Sequence, residues 1–218
     1  SGGTEDCMIP YQYGSRNASN ILIQMVDDHD LEVMEREVSA IQKSTTDFGL
    51  IAVKVENWND DLSPWPASAV FGAEGFGGGA AKTLEELLRI CSDRSKQYFI
   101  GGYSLAGLFS LWVAYQTDIF AGVAAASPSV WFPGFTEYIQ QNAIKSPMVY
   151  LSLGDREEKA KNSVMASVGN CIREIHAWLD GHGTECTLEW NPGNHFKDMD
   201  IRTARAFAWV LGRGGASR

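Results

Sequence analysis

The sequence contains no apolar stretch approaching the roughly 20 residues that a helix needs to cross a bilayer. Its first residues, SGGTEDCMIP, lack the basic segment and the following apolar segment of a signal peptide. Lysine and arginine together number 18 against 27 aspartates and glutamates, which gives a formal net charge of −9. Nucleic-acid binding depends on clustered positive charge, and the chain has no basic run interleaved with aromatic residues. We therefore expect a cytoplasmic protein whose partner is neither a membrane nor a nucleic acid; export with removal of a signal peptide stays an alternative.

Cysteine is also scarce. The four cysteines, Cys7, Cys91, Cys171 and Cys186, form no C-x-x-C pair. A chain of 218 residues, 44% of them hydrophobic, can bury a sizeable core without disulfide bonds. We therefore expect reduced thiols and one domain that covers residues 4–213, while the sequence leaves the oligomeric state open.

Motifs that hold a nucleotide cofactor are missing as well. GGGAAKT resembles a phosphate-binding loop, but Phe76 and Ala81 stand where that motif requires glycine. GFGGGA, residues 75–80, has the spacing of a dinucleotide-binding turn, but the segment before it, PWPASAVFGAE, does not have the pattern of a strand. We therefore expect no cofactor.

Short apolar runs alternate with amphipathic stretches along the chain. The runs predict strands at 20–26, 48–56, 97–102, 120–128, 147–154 and 184–191. Helical spacing between them predicts helices at 30–44, 82–93, 105–116, 135–144, 161–183 and 198–212. The segment 57–81, rich in proline, glycine and asparagine, is predicted as a long loop. Because most runs are apolar along their whole length, we expect an α/β fold with a mostly parallel sheet covered by helices on both faces.

The stretch YFIGGYSLAGLFSLW, residues 98–112, places one hydroxyl among small residues at a predicted strand-to-helix junction. So tight a turn strains its central residue and brings neighbouring backbone close, which explains the small residues around Ser104. The turn would raise the hydroxyl above the sheet edge and direct the next helix N-terminus toward it. These features predict a nucleophile elbow, with Ala106 replacing the second glycine of G-x-S-x-G and the Leu105 N–H as an oxyanion donor. A glycine-rich turn with an idle serine is the alternative.

A serine nucleophile needs a base, which in this kind of fold follows the last strand. WNPGNHFKD, residues 190–198, supplies His195 there, directly before the final predicted helix. His176 and His182 belong to a predicted amphipathic helix and its end, and His29 lies at a helix start. Surface or helix-dipole roles suit those three positions better, so we predict that His195 is the base.

The polar cluster DDHD, residues 27–30, follows the first predicted strand. Carboxylates and imidazole suit a divalent metal, but four consecutive residues cannot all face one ion. Aspartate at a helix start is explained by capping, and we expect no metal. In hydrolase folds the residue after this strand donates a second oxyanion N–H, which predicts Asp28 in that role and Asp27 as the alternative.

Three motifs, in the order GGYSLAG, SLGDREE and NPGNHF, resemble those of the α/β-hydrolase superfamily. Within it, ILIQMVDDHD and NDDLSPWPA resemble the branch that contains esterase D, the enterobactin esterases and the feruloyl esterases. The resemblance implies an α/β-hydrolase fold and serine ester hydrolysis through an acyl-enzyme, without metal or cofactor. This branch often carries Asp-Gly where the present chain has Asp27 and Asp28, a departure that concerns the second oxyanion donor.

An acid that orients His195 is expected in the loop after the strand MVYLSLG. Similar hydrolases often place this acid in a G-x-x-D or G-x-x-E pattern, and counting from Gly154 the resemblance favours Glu157. Asp155 is the alternative, unless it caps the following turn through its own side chain. Glu158 suits the solvated face of the next helix, and a Ser-His dyad without an acid stays open.

Three tryptophans, Trp58, Trp65 and Trp131, follow predicted strands and suit an apolar or aromatic ester group. Alternatively, they cover the sheet edge. No insertion long enough for a substantial lid separates the strands at 120–128 and 147–154, so we expect an open pocket for short or water-soluble esters. The expected function is hydrolysis of a small-molecule carboxylic ester. The alternatives are a hydrolase-fold protein that binds a ligand or partner without turnover, and an acyltransferase or peptidase with the same serine and histidine.

Overall fold

The computed structural model describes residues 8–214, so Cys7 and the start of the expected domain, residues 4–7, lie outside the described residues. The strands are β1 Ile9–Gly14, β2 Asn20–Val26, β3 Gly49–Lys54, β4 Pro66–Ala67, β5 Phe76–Gly77, β6 Gln97–Tyr103, β7 Phe120–Ala126, β8 Met148–Gly154 and β9 Glu185–Asn191. Within these residues, a seven-stranded sheet has the order β1-β3-β2-β6-β7-β8-β9, and β4 pairs with β5. The larger sheet is parallel except for β1, which runs antiparallel to β3.

Helices follow most strands of the sheet. They are α1 Asp28–Glu32, α2 Met34–Gln42, α3 Trp58–Leu62, α4 Ala80–Ile90, α5 Leu105–Gln116, α6 Phe135–Gln141, α7 Ser163–Ala166, α8 Val168–Gly181 and α9 Met199–Gly214. A short 3₁₀ helix covers Glu157–Lys159. None of the helices within residues 8–214 is both long and apolar enough to span a membrane.

The core consists of two apolar layers, one on each face of the sheet. Successive strand residues point to opposite faces, so Leu22 and Ile23 of β2 enter different layers. The Leu22 layer packs under α2 and α9, and the Ile23 layer packs under α4, α5 and α8. All of α5 except Gln116 is buried, which explains why this helix is apolar around its whole circumference. The predicted parallel sheet with helices on both faces is confirmed.

All six predicted strands are present, but four expectations need correction. The predicted helix 30–44 is two helices, α1 and α2, because Val33 between them has non-helical dihedral angles, φ −113° and ψ 7°. β1 was not predicted, and its residues are mostly exposed on an antiparallel edge of the sheet. The predicted helix 161–183 is two helices, α7 and α8, that meet at Ser167. The predicted loop 57–81 contains α3 and the short strands β4 and β5. Three cysteines, Cys91, Cys171 and Cys186, are free thiols as expected.

The parallel arrangement brings several strand ends to one edge of the sheet. Loops after β6, β7, β8 and β9 leave this edge side by side, because Gly101–Tyr103 pairs with 124–126 and Gly154 pairs with Asn191. Ligands of open parallel sheets bind at this edge. Between β7 and β8 lies only the short α6 and its flanking loops, as expected for a fold without a substantial lid.

Candidate active site

Ser104 stands at the sharp turn between β6 and α5. Its φ of 63° and ψ of −124° are strained for a residue with a side chain. A Cβ atom on Gly102 would lie 2.7 Å from the Ala106 Cβ, so the turn requires glycine at 102. Alanine fits at 106 in place of the second glycine of the motif. The strained strand-to-helix turn that the sequence predicted is confirmed.

His195 reaches Ser104 from the loop after β9. Its Nε2 atom lies 2.9 Å from Ser104 Oγ. The Tyr103 hydroxyl, on the residue before the serine, donates a hydrogen bond of 2.5 Å to the His195 backbone carbonyl. This hydrogen bond therefore joins the loop that carries His195 to the turn that carries Ser104.

Glu157 lies on the other side of the imidazole. Its Oε1 atom is 2.5 Å from His195 Nδ1. An ionised carboxylate can only accept, so Nδ1 carries the proton and Nε2 presents a lone pair to the Ser104 hydroxyl. This tautomer is the one that a general base needs.

The second oxygen of Glu157 is held by three donors. The Gly154 N–H donates to Oε2 at 2.6 Å, the Ser127 hydroxyl at 2.7 Å and the Arg202 Nη2 at 2.8 Å. Burial alone would raise the pKa of this carboxyl group. The hydrogen bond and charge of His195, the Gly154 N–H and the Ser127 hydroxyl outweigh burial and lower the pKa of Glu157 to about 2. The carboxylate is therefore ionised across the neutral pH range.

Arg202 connects the carboxylate with the histidine loop. The side chain is 1% exposed, and Nη2 contacts both Glu157 and Ser127. Its Nη1 donates to the backbone carbonyls of Asn194 at 2.9 Å and Lys197 at 3.2 Å, on either side of His195. Neither Arg202 nor Ser127 was predicted from the sequence. The available signal was a charged residue on the buried face of α9, one turn before the buried Ala206.

The alternative acids occupy other positions. Asp155 Oδ1 accepts the Gly193 N–H at 2.9 Å, and so joins the loops after β8 and β9 through its side chain. Glu158 faces Arg173, with two hydrogen bonds of 3.0 Å. Of the three candidate carboxylates, the structure brings only Glu157 to His195.

The expected oxyanion donors lie at the starts of two helices. Leu105 begins α5, so its N–H belongs to the helix end that has no intrahelical acceptor. Asp28 begins α1, and its carboxylate is exposed and 2.9 Å from Lys54 Nζ. Asp27 caps α1, and its own N–H donates to Asp30 Oδ2 at 3.1 Å. The Asp27 N–H therefore already has an acceptor. The Asp27 and Asp30 carboxylates cap α1, and the Asp28 carboxylate pairs with Lys54.

A cavity of about 610 Å³ contains Ser104 and His195 in its wall. The apolar part of the lining includes Phe71, Trp131, Met165, Val168 and Phe196. Two of these side chains, Phe71 and Phe196, are 57% and 77% exposed, so they flank the open mouth.

The structure brings Trp131, but not Trp58 or Trp65, to this cavity. The Trp65 Nε1 donates to the Pro133 carbonyl at 2.8 Å, and its ring lies 5.3 Å from that of Tyr138. Trp58 begins α3 and packs against the core. The prediction that Trp58 and Trp65 form part of the substrate wall is therefore wrong. Both rings pack against other residues of the protein instead.

The strand order, the strained serine turn and the position of the histidine together define an α/β-hydrolase fold. No protein-family model matches the chain. YbbA, an uncharacterized protein of Bacillus subtilis (strain 168), is 24% identical over 192 residues, which cover 79% of this chain and 76% of that protein.

Solved structures with this fold cover nearly the whole chain. The siderophore hydrolase EstA of Aspergillus nidulans has a TM-score of 0.66 and 15% identity, covering 97% of this chain and 95% of its own. An IroE-like serine hydrolase of Shewanella oneidensis has a TM-score of 0.67 and 12% identity, covering 93% of this chain and 79% of its own. The enterobactin esterase FES of Shigella flexneri has a TM-score of 0.64 and 11% identity, covering 94% of this chain and 55% of its own. Because the matches include an enterobactin esterase, they agree with the branch that the sequence motifs resemble.

Proposed function

We propose that the protein is a serine hydrolase that cleaves carboxylic esters through an acyl-enzyme. The observation that carries the proposal is the continuous contact from Ser104 Oγ through His195 to Glu157, with distances of 2.9 and 2.5 Å. In this reaction Ser104 attacks the ester carbonyl, and His195 takes its proton and gives it to the leaving alcohol. Water then attacks the acyl-enzyme with His195 again as the base. Glu157 orients the imidazole and stabilises its cation.

The oxyanion of the tetrahedral intermediate would be held by backbone N–H groups. Leu105 follows the nucleophile and supplies the first. Asp28 supplies the second, because the Asp27 amide already donates to Asp30. Both donors stand at helix N-termini, where the helix dipole also favours negative charge. The route needs no metal or cofactor.

The cavity supports an ester with an apolar or aromatic part. Trp131 lies in the wall of the same cavity as Ser104, and the exposed Phe71 and Phe196 extend the apolar surface to the mouth. Similar proteins are described as a siderophore hydrolase, as an enterobactin esterase in the presence of enterobactin, and as Est1E of Butyrivibrio proteoclasticus with bound ferulic acid. We infer a small, water-soluble ester rather than a long-chain lipid. A cytoplasmic location and the absence of nucleic-acid and membrane partners stay predictions.

The proposal is tested by steady-state hydrolysis of 4-nitrophenyl acetate and of phenyl esters with short acyl chains, each with wild type and Ser104→Ala. The expected result is turnover by wild type and loss of about three or more orders of magnitude in kcat for Ser104→Ala. Added methanol should divert part of the acyl group to the methyl ester, because an acyl-enzyme accepts either nucleophile. If methanolysis greatly exceeded hydrolysis, the protein would be an acyltransferase. Equal rates for wild type and Ser104→Ala would contradict the proposal.

A further inference from the structure

One edge of the cavity carries three cationic side chains from a single short segment. Arg156, Lys159 and Lys161 all line the cavity that contains Ser104 and His195. All three residues are exposed, so their charged groups lie toward the open rim rather than in the core. The segment follows β8 directly and also carries Glu157.

The positive charge of this rim is largely uncompensated. Within residues 8–214, no carboxylate lies within 4.0 Å of the cationic groups of Arg156, Lys159 or Lys161. Glu158 lies next to Lys159 in sequence, but its oxygens are bound by Arg173. The hydrogen bonds and charge of Arg173 lower the pKa of Glu158, and the charge of Lys159 contributes less. Among the described residues that line the cavity, Glu157 is the only carboxylate, and it faces His195 and Arg202.

This local charge is opposite in sign to that of the chain. The whole protein has a formal net charge of −9, so an anionic ligand is repelled over most of the surface. Three cations gathered on one side of the cavity attract an anion to its mouth. A cleft lined by one sign of charge raises the local concentration of a ligand of the opposite sign.

The cationic rim is fixed next to the apolar mouth. The Asn162 side chain, adjacent to Lys161, donates a hydrogen bond of 2.7 Å to the Val70 carbonyl. Val70 immediately precedes Phe71, whose ring is exposed at the cavity. The same cavity therefore offers a cationic surface and an apolar surface side by side, with the serine in its wall.

We propose that the preferred substrates are esters that carry a separate anionic group, such as a carboxylate, on an apolar body. The inference rests on the proposed function, since it concerns the same site. The apolar body packs against Trp131 and the mouth, and the anionic group lies among Arg156, Lys159 and Lys161 while the ester carbonyl is at Ser104. Long lysine side chains adapt to the anion, so the charge is recognised more strongly than its exact shape.

Matched pairs of esters test the charge preference. Mono-4-nitrophenyl glutarate and 4-nitrophenyl valerate have the same leaving group and equal acyl length, and differ in a terminal carboxylate. A second pair, 4-carboxyphenyl acetate and phenyl acetate, places the carboxylate on the alcohol part. We expect kcat/KM to be about tenfold higher for the anionic member of at least one pair, because each exposed charge contact contributes about 1.5- to 5-fold. The preference should decrease between 0.05 M and 1 M salt, because salt screens exposed charges.

A charge-neutralised variant locates the effect. Arg156→Gln, Lys159→Gln and Lys161→Gln combined should reduce the anionic-to-neutral ratio to near one, with kcat/KM for the neutral ester within about threefold of wild type. The control combines Arg16→Gln, Lys43→Gln and Arg94→Gln, which change the net charge equally at exposed positions outside the cavity. The control should keep the wild-type ratio, because distant exposed charges are screened.

The outcomes separate the two claims. Hydrolysis of both members of each pair with equal or lower kcat/KM for the anionic ester would overturn this inference and leave ester hydrolysis standing. A preference that persists in the triple cavity variant would also overturn it, because another feature would then select the charge. Failure to hydrolyse any of the four esters would overturn the proposed function and this inference with it.

Discussion

Arg202 donates a hydrogen bond of 2.8 Å to Glu157 Oε2, while the other oxygen of the same carboxylate lies 2.5 Å from His195. One oxygen of the carboxylate therefore contacts a buried cation, and the other contacts the imidazole. Because Arg202 also binds the carbonyls of Asn194 and Lys197, one guanidinium sets the position of both partners of the His195–Glu157 pair.

Replacing Arg202 should lower both stability and turnover. Arg202→Met leaves Glu157 with one donor fewer in a buried site, so we expect the free energy of unfolding to decrease by about 3–5 kcal/mol. Arg202→Lys keeps the charge but cannot bridge the same acceptors, and kcat should decrease by up to about a hundredfold, with a smaller change in KM. Urea unfolding and steady-state kinetics measure the two effects.

The matched control for this prediction is Arg173→Met, which breaks the exposed pair with Glu158. It should change stability only slightly, because exposed ion pairs contribute little. If Arg202→Met were as mild as Arg173→Met, the positioning role of Arg202 would be wrong.

The identity of the acid is tested by two conservative substitutions. Glu157→Gln removes the charge that stabilises the His195 cation, and kcat should decrease by up to about four orders of magnitude. Asp155→Asn keeps an oxygen that can accept the Gly193 N–H, so kcat should stay within a few-fold of wild type. A large loss in Asp155→Asn beside a nearly normal Glu157→Gln would reverse the assignment, and two mild effects would favour a Ser-His dyad.

The pH dependence of stability reports the ionisation of Glu157. Its pKa is about 2 in the folded protein against an ordinary value of 4.5. Because the folded pKa is lower, the carboxylate contributes stability above pH 4.5, and this contribution is lost as the pH falls toward 2. The shift corresponds to about 3 kcal/mol.

The difference in unfolding free energy between wild type and Glu157→Gln should therefore be largest near neutral pH and shrink below pH 4.5. Urea titrations at several pH values measure it. A difference that stays constant from neutral pH into this acidic range would show that the glutamate is not held as a stabilised carboxylate.

Backbone strain at Ser104 should appear as a difference between two inactive variants. With φ at 63°, an alanine side chain is as strained as serine, whereas glycine tolerates this conformation. We expect Ser104→Gly to be about 1 kcal/mol more stable than Ser104→Ala. Thermal unfolding of the two variants measures this difference. A lower melting temperature for Ser104→Gly than for Ser104→Ala would mean that the turn is not strained.

Trp131 should affect substrate selection, whereas Trp65 should affect packing. Trp131→Ala removes an aromatic side chain from the wall of the cavity that contains Ser104, so KM for aromatic acyl esters should increase more than KM for acetate esters. Trp65→Ala, the control, should lower the melting temperature and leave the ratio of the two KM values unchanged, because its ring packs among Phe132, Phe135 and Tyr138. Equal changes in both KM values for Trp131→Ala would contradict its place in the substrate wall.

Much of the fold could be predicted because buried parallel strands have a strong local signal. The strands β2, β3, β6, β7 and β8 are apolar runs between turn residues, and each one was predicted. β9 was also predicted, although most of its residues are exposed or half-buried. β1 has no such signal, since Ile9 and Tyr11 are exposed and Pro10 is unusual in a strand.

The break between α7 and α8 depends on contacts from elsewhere. A Cβ atom on Gly169 would lie 1.8 Å from a Glu158 oxygen, so the start of α8 packs tightly on the loop after β8. Helical spacing in one segment carries no information about a neighbouring loop. The prediction of one continuous helix over residues 161–183 was wrong for that reason.

The site could be predicted where its residues directly follow strands. Ser104, Glu157 and His195 follow β6, β8 and β9, and parallel strand ends meet at one edge. Arg202 lies inside a helix, and its contacts with Glu157 and Asn194 depend on how α9 crosses the sheet. The sequence has no local pattern for such a crossing, although a charge on an apolar helix face was a usable signal.

Covalent labelling tests whether Ser104 is an activated nucleophile. Wild type and Ser104→Ala are treated with a fluorophosphonate, and the modified peptide is identified by mass spectrometry. We expect one label on Ser104 of the wild type and none at any residue of Ser104→Ala, with slower labelling of Glu157→Gln because its base is less well oriented. A label on another residue, or no label on the wild type, would mean that Ser104 is not an activated nucleophile.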